Sequence, residues 1–384
     1  MSSEVRRSRE IFSCFDDKRR HRRLIGHQSR TFDFQFHPVE QVAISASEDG
    51  TGRVWDLSTG KCGKVLAANS REQEVLRACW APPGEACVAA TGSADGIVRL
   101  WGIAGGSNDG PAGVERYRAL KVVGSLHHRN EAKGLDGQVY SCQFVPEHAA
   151  GGATAGATRL LTASDQSVHL WDVETCKRVA SRALSKVGDH SIGGERNPSD
   201  LSFVFDAKPR PRAGSDVLAV ALSDGTVRVG DVLRGRSKPS VLRGRSTAQT
   251  GLAWSDDGTI LASCGGDGAV TVWDARTWRI RSTLCGHSRP VYGVVFYPSE
   301  GGESEEASTQ LLLSWSSDET ICMWDASRAP DNGTALPLAT ISVEPGFPIY
   351  SCSVSADGRR LAVAGGGPGK AGFLGVPVKL VDLS

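Results

Sequence analysis

The chain has 384 residues, of which 45 are glycine, 9 are tryptophan and 40% are hydrophobic; this composition is too apolar for a disordered chain and lacks the triplet period of collagen. Its 44 basic and 43 acidic side chains leave a net charge of +1, which gives no support to a chain-wide nucleic-acid or membrane-surface footprint. The ten cysteines include no Cys-x-x-Cys pair, and no apolar leader or membrane-length apolar run is present, so we expect a reducing cytoplasmic or nuclear location.

The N-terminus is basic. Residues 1–17 are expected to form a flexible tail, and every side chain from Lys18 to Arg23 is Lys, Arg or His. Such a run is typical of a nuclear-import signal or a nucleic-acid patch. It is equally typical of the solvated face of an outer strand, and the sequence leaves these alternatives open.

From residue 28 onward one pattern recurs seven times. Each copy ends in a strand of alternating apolar residues, and two weaker copies finish at Gly230-Asp231 and Val381-Asp382. In the other five copies this strand ends at Trp55, Trp101, Trp171, Trp273 and Trp324. Six positions earlier an aspartate usually stands in a tight turn, and two further apolar strands precede that turn. Every repeat therefore predicts at least three antiparallel strands.

This repeat resembles that of the WD-repeat β-propeller family, over nearly the whole chain. The resemblance implies an all-β fold of seven four-stranded antiparallel blades around a central channel. A single propeller would span residues 18–384, with blades at about 28–67, 73–126, 137–184, 198–243, 247–285, 289–343 and 347–384 plus 22–26. Because no fourth strand follows Asp382, we expect residues 22–25 to pair with blade 7 and close the ring.

The resemblance also implies a hydrogen-bonded tetrad of His, Ser or Thr, Asp and Trp within a blade. Two blades carry all four residues: His27, Ser45, Asp49 and Trp55 in blade 1, and His287, Ser314, Asp318 and Trp324 in blade 6. Blade 5 places Arg245 where the histidine would stand, and blade 3 is one residue short in its turn, with Thr162 and Asp165. A repeated Ser-His-Asp set beside a tryptophan indicates a structural role, because a catalytic nucleophile does not need to recur around a ring.

Seven repeats in this length average more than the ~40–45 residues typical of the family, so insertions are expected. On the bottom face they would be 105–116, 148–158, 206–215, 299–309 and 328–337, and on the top face 127–137, 185–199 and 365–377.

One position in the repeat predicts a partner-binding surface. In propellers of this family, the residue after the first apolar residue of each inner strand points toward the top mouth of the channel. In ring order it is Phe32, Leu76, Tyr140, Leu201, Thr250, Tyr292 and Tyr350, which includes three of the five tyrosines. Aromatic residues at a concave rim are typical interface anchors, although here they could equally pack the neighbouring blade. Glu48 and Glu74 would add negative charge, which favours a partner segment carrying Arg or Lys.

The function predicted is a non-catalytic protein-interaction scaffold, without metal, cofactor, small-molecule substrate or nucleic-acid partner. The segment Trp273-Asp274-Ala275-Arg276 resembles the WD-x-Arg element of substrate receptors of cullin-RING ubiquitin ligases, which makes Arg276 a candidate adaptor contact and that role the alternative. A propeller-based enzyme is the alternative from another class. It would require carboxylates or histidines converging in the channel outside the tetrads.

Overall fold

The computed structural model describes residues 13–14, 17–67, 73–83, 85, 87–103, 114–128, 137–145, 158–165, 167–184, 202–211, 216–233, 238–246, 248–298, 310–327, 334–366 and 378–383. Apart from residues 13, 14 and 17, the predicted basic tail lies outside these ranges. In the described part the chain is almost entirely β, arranged as seven antiparallel sheets that form the blades of a propeller.

Each blade is an antiparallel meander, and its strands are given below in order from the channel outward. Blade 1 contains β2 (Thr31–Phe36), β3 (Val42–Ser47), β4 (Thr51–Asp56) and β5 (Cys62–Ala67); blade 2 contains β6 (Val75–Trp80), β7 (Cys87–Ser93), β8 (Ile97–Ile103) and β9 (Leu120–His127); blade 3 contains β10 (Val139–Val145), β11 (Arg159–Ser164), β12 (Ser167–Asp172) and β13 (Lys177–Ala183). Blade 4 contains β14 (Val204–Pro209), β15 (Leu218–Leu222), β16 (Thr226–Gly230) and β17 (Ser240–Arg243); blade 5 contains β18 (Gln249–Trp254), β19 (Ile260–Gly265), β20 (Ala269–Asp274) and β21 (Ile280–Cys285). Blade 6 contains β22 (Val291–Phe296), β23 (Leu311–Ser316), β24 (Thr320–Asp325) and β26 (Ala339–Ser342); blade 7 contains β27 (Ile349–Val354), β28 (Arg360–Gly365), β29 (Val378–Asp382) and the N-terminal β1 (His21–Leu24).

The ring closes as the sequence predicted. Strand β1 pairs antiparallel with β29, in the register Arg22 with Leu380 and Leu24 with Val378. Leu24 is 1% exposed and lies in the hydrophobic cluster between blades 7 and 1. The first strand of the chain thus completes the last blade, which covers the outer edge of β29.

Tight turns join the second and third strands of the blades on the top face, where the inner strands begin. Most place glycine after aspartate in the left-handed region, for example Gly50 at φ 77° and Gly268 at φ 77°. In blade 6 the same place is taken by Glu319 at φ 69°, a conformation that side chains with a Cβ adopt at some cost.

Regular structure overlaps several of the predicted insertions, among them 105–116, 206–215 and 328–337. Residues 206–209 belong to the inner strand β14 of blade 4 and are not an insertion, which corrects the predicted 206–215 loop. Within the 328–337 insertion of blade 6, β25 (Thr334–Ala335) pairs parallel with β21 and adds a fifth strand to blade 5. A short helix, α1 (Val114–Tyr117), follows the 104–113 segment and buries Tyr117 beside Trp80.

Candidate functional site: the top face and the channel

A β-bulge at the start of every inner strand sets the geometry of the top face. In each blade the register to the second strand skips one residue, as between Thr31 and Asp33. A bulge turns the extra residue out of the ladder and re-aims its side chain. In ring order the bulge residues are Phe32, Leu76, Tyr140, Phe205, Thr250, Tyr292 and Tyr350.

Six of these seven residues are apolar or aromatic, and we call them the top-face arc: Phe32, Leu76, Tyr140, Phe205, Tyr292 and Tyr350. Tyr292 is exposed, at 37%, and the other five are half-buried. Where they are aromatic, rings from adjacent blades contact each other at the rim. The ring centroids are 5.5 Å apart for Tyr292 and Tyr350, 5.7 Å for Tyr350 and Phe32, and 6.0 Å for Tyr140 and Phe205. The arc therefore packs against its own neighbours and still presents aromatic surface to solvent.

The arc is interrupted at blade 5. Thr250 turns its hydroxyl toward the backbone: Oγ1 lies 2.5 Å from the carbonyl oxygen of Val291, to which its single proton donates, and 3.2 Å from that of Cys264. Its proton is therefore used within the protein, and its side chain offers a partner less apolar area than the aromatic residues of the arc do.

In blade 4 the sequence assigned the wrong residue. The predicted Leu201 lies outside the described residues, and the bulge of β14 falls on Phe205. Two positions earlier Phe203 is 45% exposed, and its backbone carbonyl accepts from Ser223 N at the top turn. Blade 4 therefore contributes two aromatic side chains to the top face.

Three carboxylates lie around the arc at blades 1 to 3. Glu48 contacts the hydroxyl of Ser29 and forms a 3.8 Å ion pair with Arg30. Burial raises the pKa of Glu74, and the neighbouring Glu48 carboxylate raises it further. No side chain among the described residues pairs with the Glu74 carboxylate.

The third carboxylate is that of Asp165. Burial raises the pKa of Tyr140, and the carboxylates of Asp165 and Glu74 add to the effect, which places both acids near that phenol. The Tyr140 hydroxyl itself donates to Gln138 Oε1 at 2.8 Å. The top face is thus apolar at blades 6, 7 and 1 and acidic beside Tyr140.

Below the arc, the residues that follow the bulges line the central channel, which has a cavity of about 310 Å³. Asp33 and Asp206 both lie here, and the sequence analysis overlooked them. Asp33 accepts hydrogen bonds from the backbone N–H of Ala78 at 3.1 Å and from the hydroxyl of Ser351 at 3.3 Å.

Asp206 repeats this arrangement three blades further on. It accepts from the backbone N–H of Leu252 at 3.1 Å and from Ser141 Oγ at 2.8 Å. Both carboxylates tie their own blade to the next blade and to the previous one. The residue after the bulge is polar in five of the seven blades. This pattern could have revealed the two aspartates, but only once the register was known.

The tetrads form complete hydrogen-bond networks in blades 1 and 6. Trp55 Nε1 donates to Ser45 Oγ at 2.8 Å, Ser45 Oγ lies 2.7 Å from His27 Nε2, and His27 Nδ1 lies 2.8 Å from Asp49. Because Ser45 accepts from the indole, its own proton points to His27 Nε2, and the imidazole proton faces Asp49. Burial lowers the pKa of His27 even against the opposing effect of Asp49, so the imidazole is neutral near pH 7.

Blade 6 repeats these contacts. Trp324 Nε1 and His287 Nε2 each lie 2.8 Å from Ser314 Oγ, and His287 Nδ1 lies 3.1 Å from Asp318. Ser45 and Ser314 are both 0% exposed. Neither hydroxyl can reach a substrate in this arrangement.

Comparison with known families agrees with this architecture. A family model described as WD domain, G-beta repeat matches residues 18–56, 60–102 and 236–274. Each matched segment runs from the outer strand of one blade through the first three strands of the next. The chain is a seven-bladed β-propeller, and its matched segments are WD repeats.

Similar proteins carry two kinds of name. Nuclear distribution protein PAC1 of Arthroderma otae is 24% identical over 329 residues, which cover 79% of this chain and 60% of that protein. The guanine nucleotide-binding protein subunit beta of Zea mays is 25% identical over 348 residues, and that of Oryza sativa subsp. japonica 26%; both alignments cover 88% of this chain and 79% of the relative. The chain thus spans about three fifths of the length of the nuclear distribution proteins that it matches.

The WD repeat of blade 3 holds a histidine that the sequence analysis missed. His128 Nε2 lies 2.9 Å from Thr162 Oγ1, which also accepts from Trp171 Nε1 at 2.8 Å. In the place of the tetrad aspartate, Ser164 Oγ contacts His128 Nδ1 at 2.9 Å. Because the turn is one residue short, Asp165 takes the position of Glu48, as its backbone N–H bond to the carbonyl of Gln138 indicates. The sequence feature that could have revealed His128 is the pair His127-His128 at the end of β9.

Blade 5 has no histidine at the tetrad position, and the Arg245 that aligns there is exposed. Trp273 still donates to Ser263 Oγ at 3.0 Å. On the bottom face, Arg276 is also exposed, in the turn after β20, where its backbone N–H donates to Asp274 at 3.0 Å. A ligase-adaptor contact at Arg276 stays a prediction.

Two features are absent from the described part of the chain. No group of three or more His, Cys, Asp or Glu side chains is arranged to hold a metal ion in the described part of the chain. None of the helices in that part is long and apolar enough to cross a membrane.

Proposed function

We propose that this propeller is a non-catalytic scaffold that binds a segment of a partner protein on its top face. The observation that carries the proposal is the top-face arc, in which six of seven equivalent bulge positions hold partly exposed apolar or aromatic side chains. Tyrosine and phenylalanine at a concave rim offer large contact area at low entropic cost, which is typical of interface hot spots.

We further propose that the partner segment presents a lysine or arginine beside Tyr140. Glu74 and Asp165 both lie close enough to influence the ionisation of Tyr140. A cation placed over the phenol ring would interact with its π face and with the carboxylates together. The half-buried setting of Glu74 strengthens this attraction, because water screens it less than at an open surface.

The buried tetrads support a role without catalysis. Each Ser-His-Asp set serves a Trp of its own blade, and the channel carboxylates Asp33 and Asp206 accept bonds from neighbouring blades. These groups stabilise the ring. The names of the relatives fit an interaction role, since one of them is called a subunit. The alternative role as a substrate receptor of a cullin-RING ligase depends on Arg276 alone.

A selection experiment tests the proposal. A random-peptide display library is selected on the immobilised wild-type protein, with the Tyr140→Ala/Tyr292→Ala/Tyr350→Ala variant as counter-target. We expect wild-type selection to enrich peptides with Lys or Arg, and these peptides not to be retained by the variant. Retention of the same peptides by a correctly folded triple variant would exclude the arc as the binding surface.

The charge part of the proposal has its own test. Replacing Glu74 with Gln is expected to weaken the binding of a selected basic peptide by about three- to tenfold at low salt. At 0.5 M salt the loss of affinity should be smaller, because the salt already screens the attraction in the wild-type protein. Equal affinities of wild type and Glu74→Gln at low salt would contradict the basic-segment assignment while leaving the arc in place.

A further inference from the structure

A second cavity lies on the bottom face, opposite the arc, where the ring closes between blades 7 and 1. Its volume is about 240 Å³. The chain brings together there the 3-10 turn Lys18–Arg20, the first residues of β1, the start of β28 at Arg360 and the end of β29 at Asp382. Four arginines line it, namely Arg19, Arg20, Arg22 and Arg360, and Asp382 is the only acidic residue among its described lining residues.

Two of these guanidinium groups are bound only to neutral acceptors. Nη1 of Arg22 donates to the carbonyls of Leu57 at 2.8 Å and Ser58 at 2.7 Å. The guanidinium of Arg360 donates to the side-chain oxygen of Gln41. No described carboxylate forms an ion pair with either arginine. Carbonyl and amide oxygens satisfy N–H groups but carry no negative charge; the carboxylates near Arg360 are those of Asp357, with which it interacts electrostatically, and Asp382, opposite it on β29.

The remaining basic groups are partly compensated. Asp17 pairs with Arg19 at 3.0 Å and with Arg20 at 3.8 Å. Counting Arg19, Arg20, Arg22 and Arg360 against Asp17 and Asp382, the cavity has a formal excess of two positive charges. This count leaves out His21.

The fold also holds Arg22 in place. Gly60 has φ 74°, a conformation that favours glycine, and a Cβ there would approach Arg22 Cδ to 2.9 Å, so the side chain of Arg22 passes close over this turn. The carbonyls of Leu57 and Ser58, to which Arg22 donates, belong to the same loop of blade 1 and precede Gly60. The guanidinium is thus oriented before any ligand binds, which lowers the entropic cost of binding.

We propose that this cavity, which we call the seam pocket, binds a phosphate monoester. Guanidinium groups match phosphate oxygens with paired, charge-assisted hydrogen bonds, and a dianion would neutralise the excess charge. The enclosed size suits one phosphate group and its immediate substituent. A nucleic acid would instead require a row of cations along a surface to contact successive phosphates.

Titration followed by 31P NMR tests the seam pocket on the full chain. The two probes are a blocked phosphoserine tripeptide, which represents a phosphorylated partner segment, and glycerol 3-phosphate, which represents a free ester. We expect wild-type protein to broaden and shift the resonance of at least one probe, and inorganic phosphate to compete. Binding of the peptide alone, or of the ester alone, identifies the source of the phosphate group and supports the site in either case.

Matched arginine variants decide whether the pocket is responsible. Arg360→Gln is expected to weaken binding at least about tenfold, as loss of a hydrogen bond to a charged group does. Arg359→Gln removes the same charge one residue away, from an exposed side chain that does not line the pocket, and should leave affinity unchanged. Arg22→Gln should weaken binding as Arg360→Gln does; should it fail to fold, Arg360→Gln carries the result.

Three results would overturn the proposal: no broadening of either probe at millimolar wild-type protein, equal affinity of wild type and Arg360→Gln, or equal losses in Arg360→Gln and Arg359→Gln. The last would indicate diffuse surface charge instead of a site.

Discussion

The tetrads allow a sharp test of what stabilises the blades, with Ser314→Ala in blade 6 as the perturbation. The Ser314 hydroxyl accepts from Trp324 Nε1 and bonds to His287 Nε2, each at 2.8 Å, and is 0% exposed. Removing it leaves a buried indole N–H and an imidazole nitrogen without that partner. Each such group costs about 1–3 kcal/mol, so for the two groups together we expect a loss of about 2–6 kcal/mol of unfolding free energy.

The same substitution at Ser282 in blade 5 provides the control. Ser282 is also 0% exposed, but its hydroxyl has no hydrogen-bond partner among the described residues. Removing an unsatisfied hydroxyl does not destabilise, because the native state then contains one buried polar group fewer. Ser282→Ala should therefore be neutral or slightly stabilising.

The two variants are compared by thermal unfolding followed by circular dichroism. At about 2 cal/mol/K of unfolding entropy per residue, cooperative unfolding of this chain would lower the Tm by ~1 °C for each kcal/mol lost. Ser314→Ala should melt ~2–7 °C below wild type, and Ser282→Ala at or slightly above it. Equal Tm values for the two variants would refute the view that the tetrad hydroxyl supports two buried partners.

Ring closure and buried histidines give two further predictions. Leu24→Ala should lower the free energy of unfolding in urea by about 2–5 kcal/mol, because it leaves a cavity between blades 7 and 1. Its neighbour Ile25 is 64% exposed, so Ile25→Ala should change that free energy by no more than about 0.5 kcal/mol. Equal effects of the two substitutions would contradict closure by β1. Burial lowers the pKa of His169 from 6.5 to about 4, so its contribution to stability is complete above pH 6.5 and is lost as pH falls toward 4. Each pKa unit is worth about 1.4 kcal/mol, so wild type should lose about 2 kcal/mol at pH 5 relative to pH 8 through His169, and His169→Gln should show a correspondingly flatter pH profile; an unchanged profile would exclude this residue as the cause.

The ring architecture could be predicted from sequence because its signals are periodic and local. Tryptophan at the end of the third strand and aspartate in the preceding turn mark five of the seven blades independently. The last repeat lacks a fourth strand, which pointed to pairing with the N-terminal strand β1. Hydrophobic alternation carries the same information in every copy, so seven weak signals reinforce one another.

The predictions from sequence were wrong in blades 3 and 4, where the marker residues are shifted or missing. Blade 4 lacks the tryptophan, since Gly230 stands in its place. The run from Leu201 to Phe205 is apolar at four of its five positions, so hydrophobicity alone does not fix where the inner strand begins. The structure selects Phe205 because its bulge pairs Val204 with Leu222 and Asp206 with Ala221. In blade 3 a one-residue deletion moved Asp165 out of the tetrad, and the missing hydrogen bond was supplied by Ser164.

Contacts between blades could not be predicted from the sequence. Nothing in the segments around Asp33 and Ser351, which lie 318 residues apart, indicates that they meet where blades 7 and 1 adjoin at the channel. The seam pocket likewise combines Arg22 with Arg360, and the sequence analysis treated the N-terminal basic run only as a local feature. Such long-range pairs become visible only when the blades are placed around the ring.

The most direct test of the central claim is the dissociation constant of a selected peptide for single variants of the top-face arc. Measured by fluorescence anisotropy, Tyr140→Ala, Tyr292→Ala and Tyr350→Ala are expected to weaken binding, at least one of them about tenfold or more, as truncation of an aromatic hot spot does. Leu336→Ala, which truncates an 80% exposed apolar side chain away from the arc, should leave the constant unchanged. Wild-type affinity in all three folded tyrosine variants would show that partners bind elsewhere on the propeller.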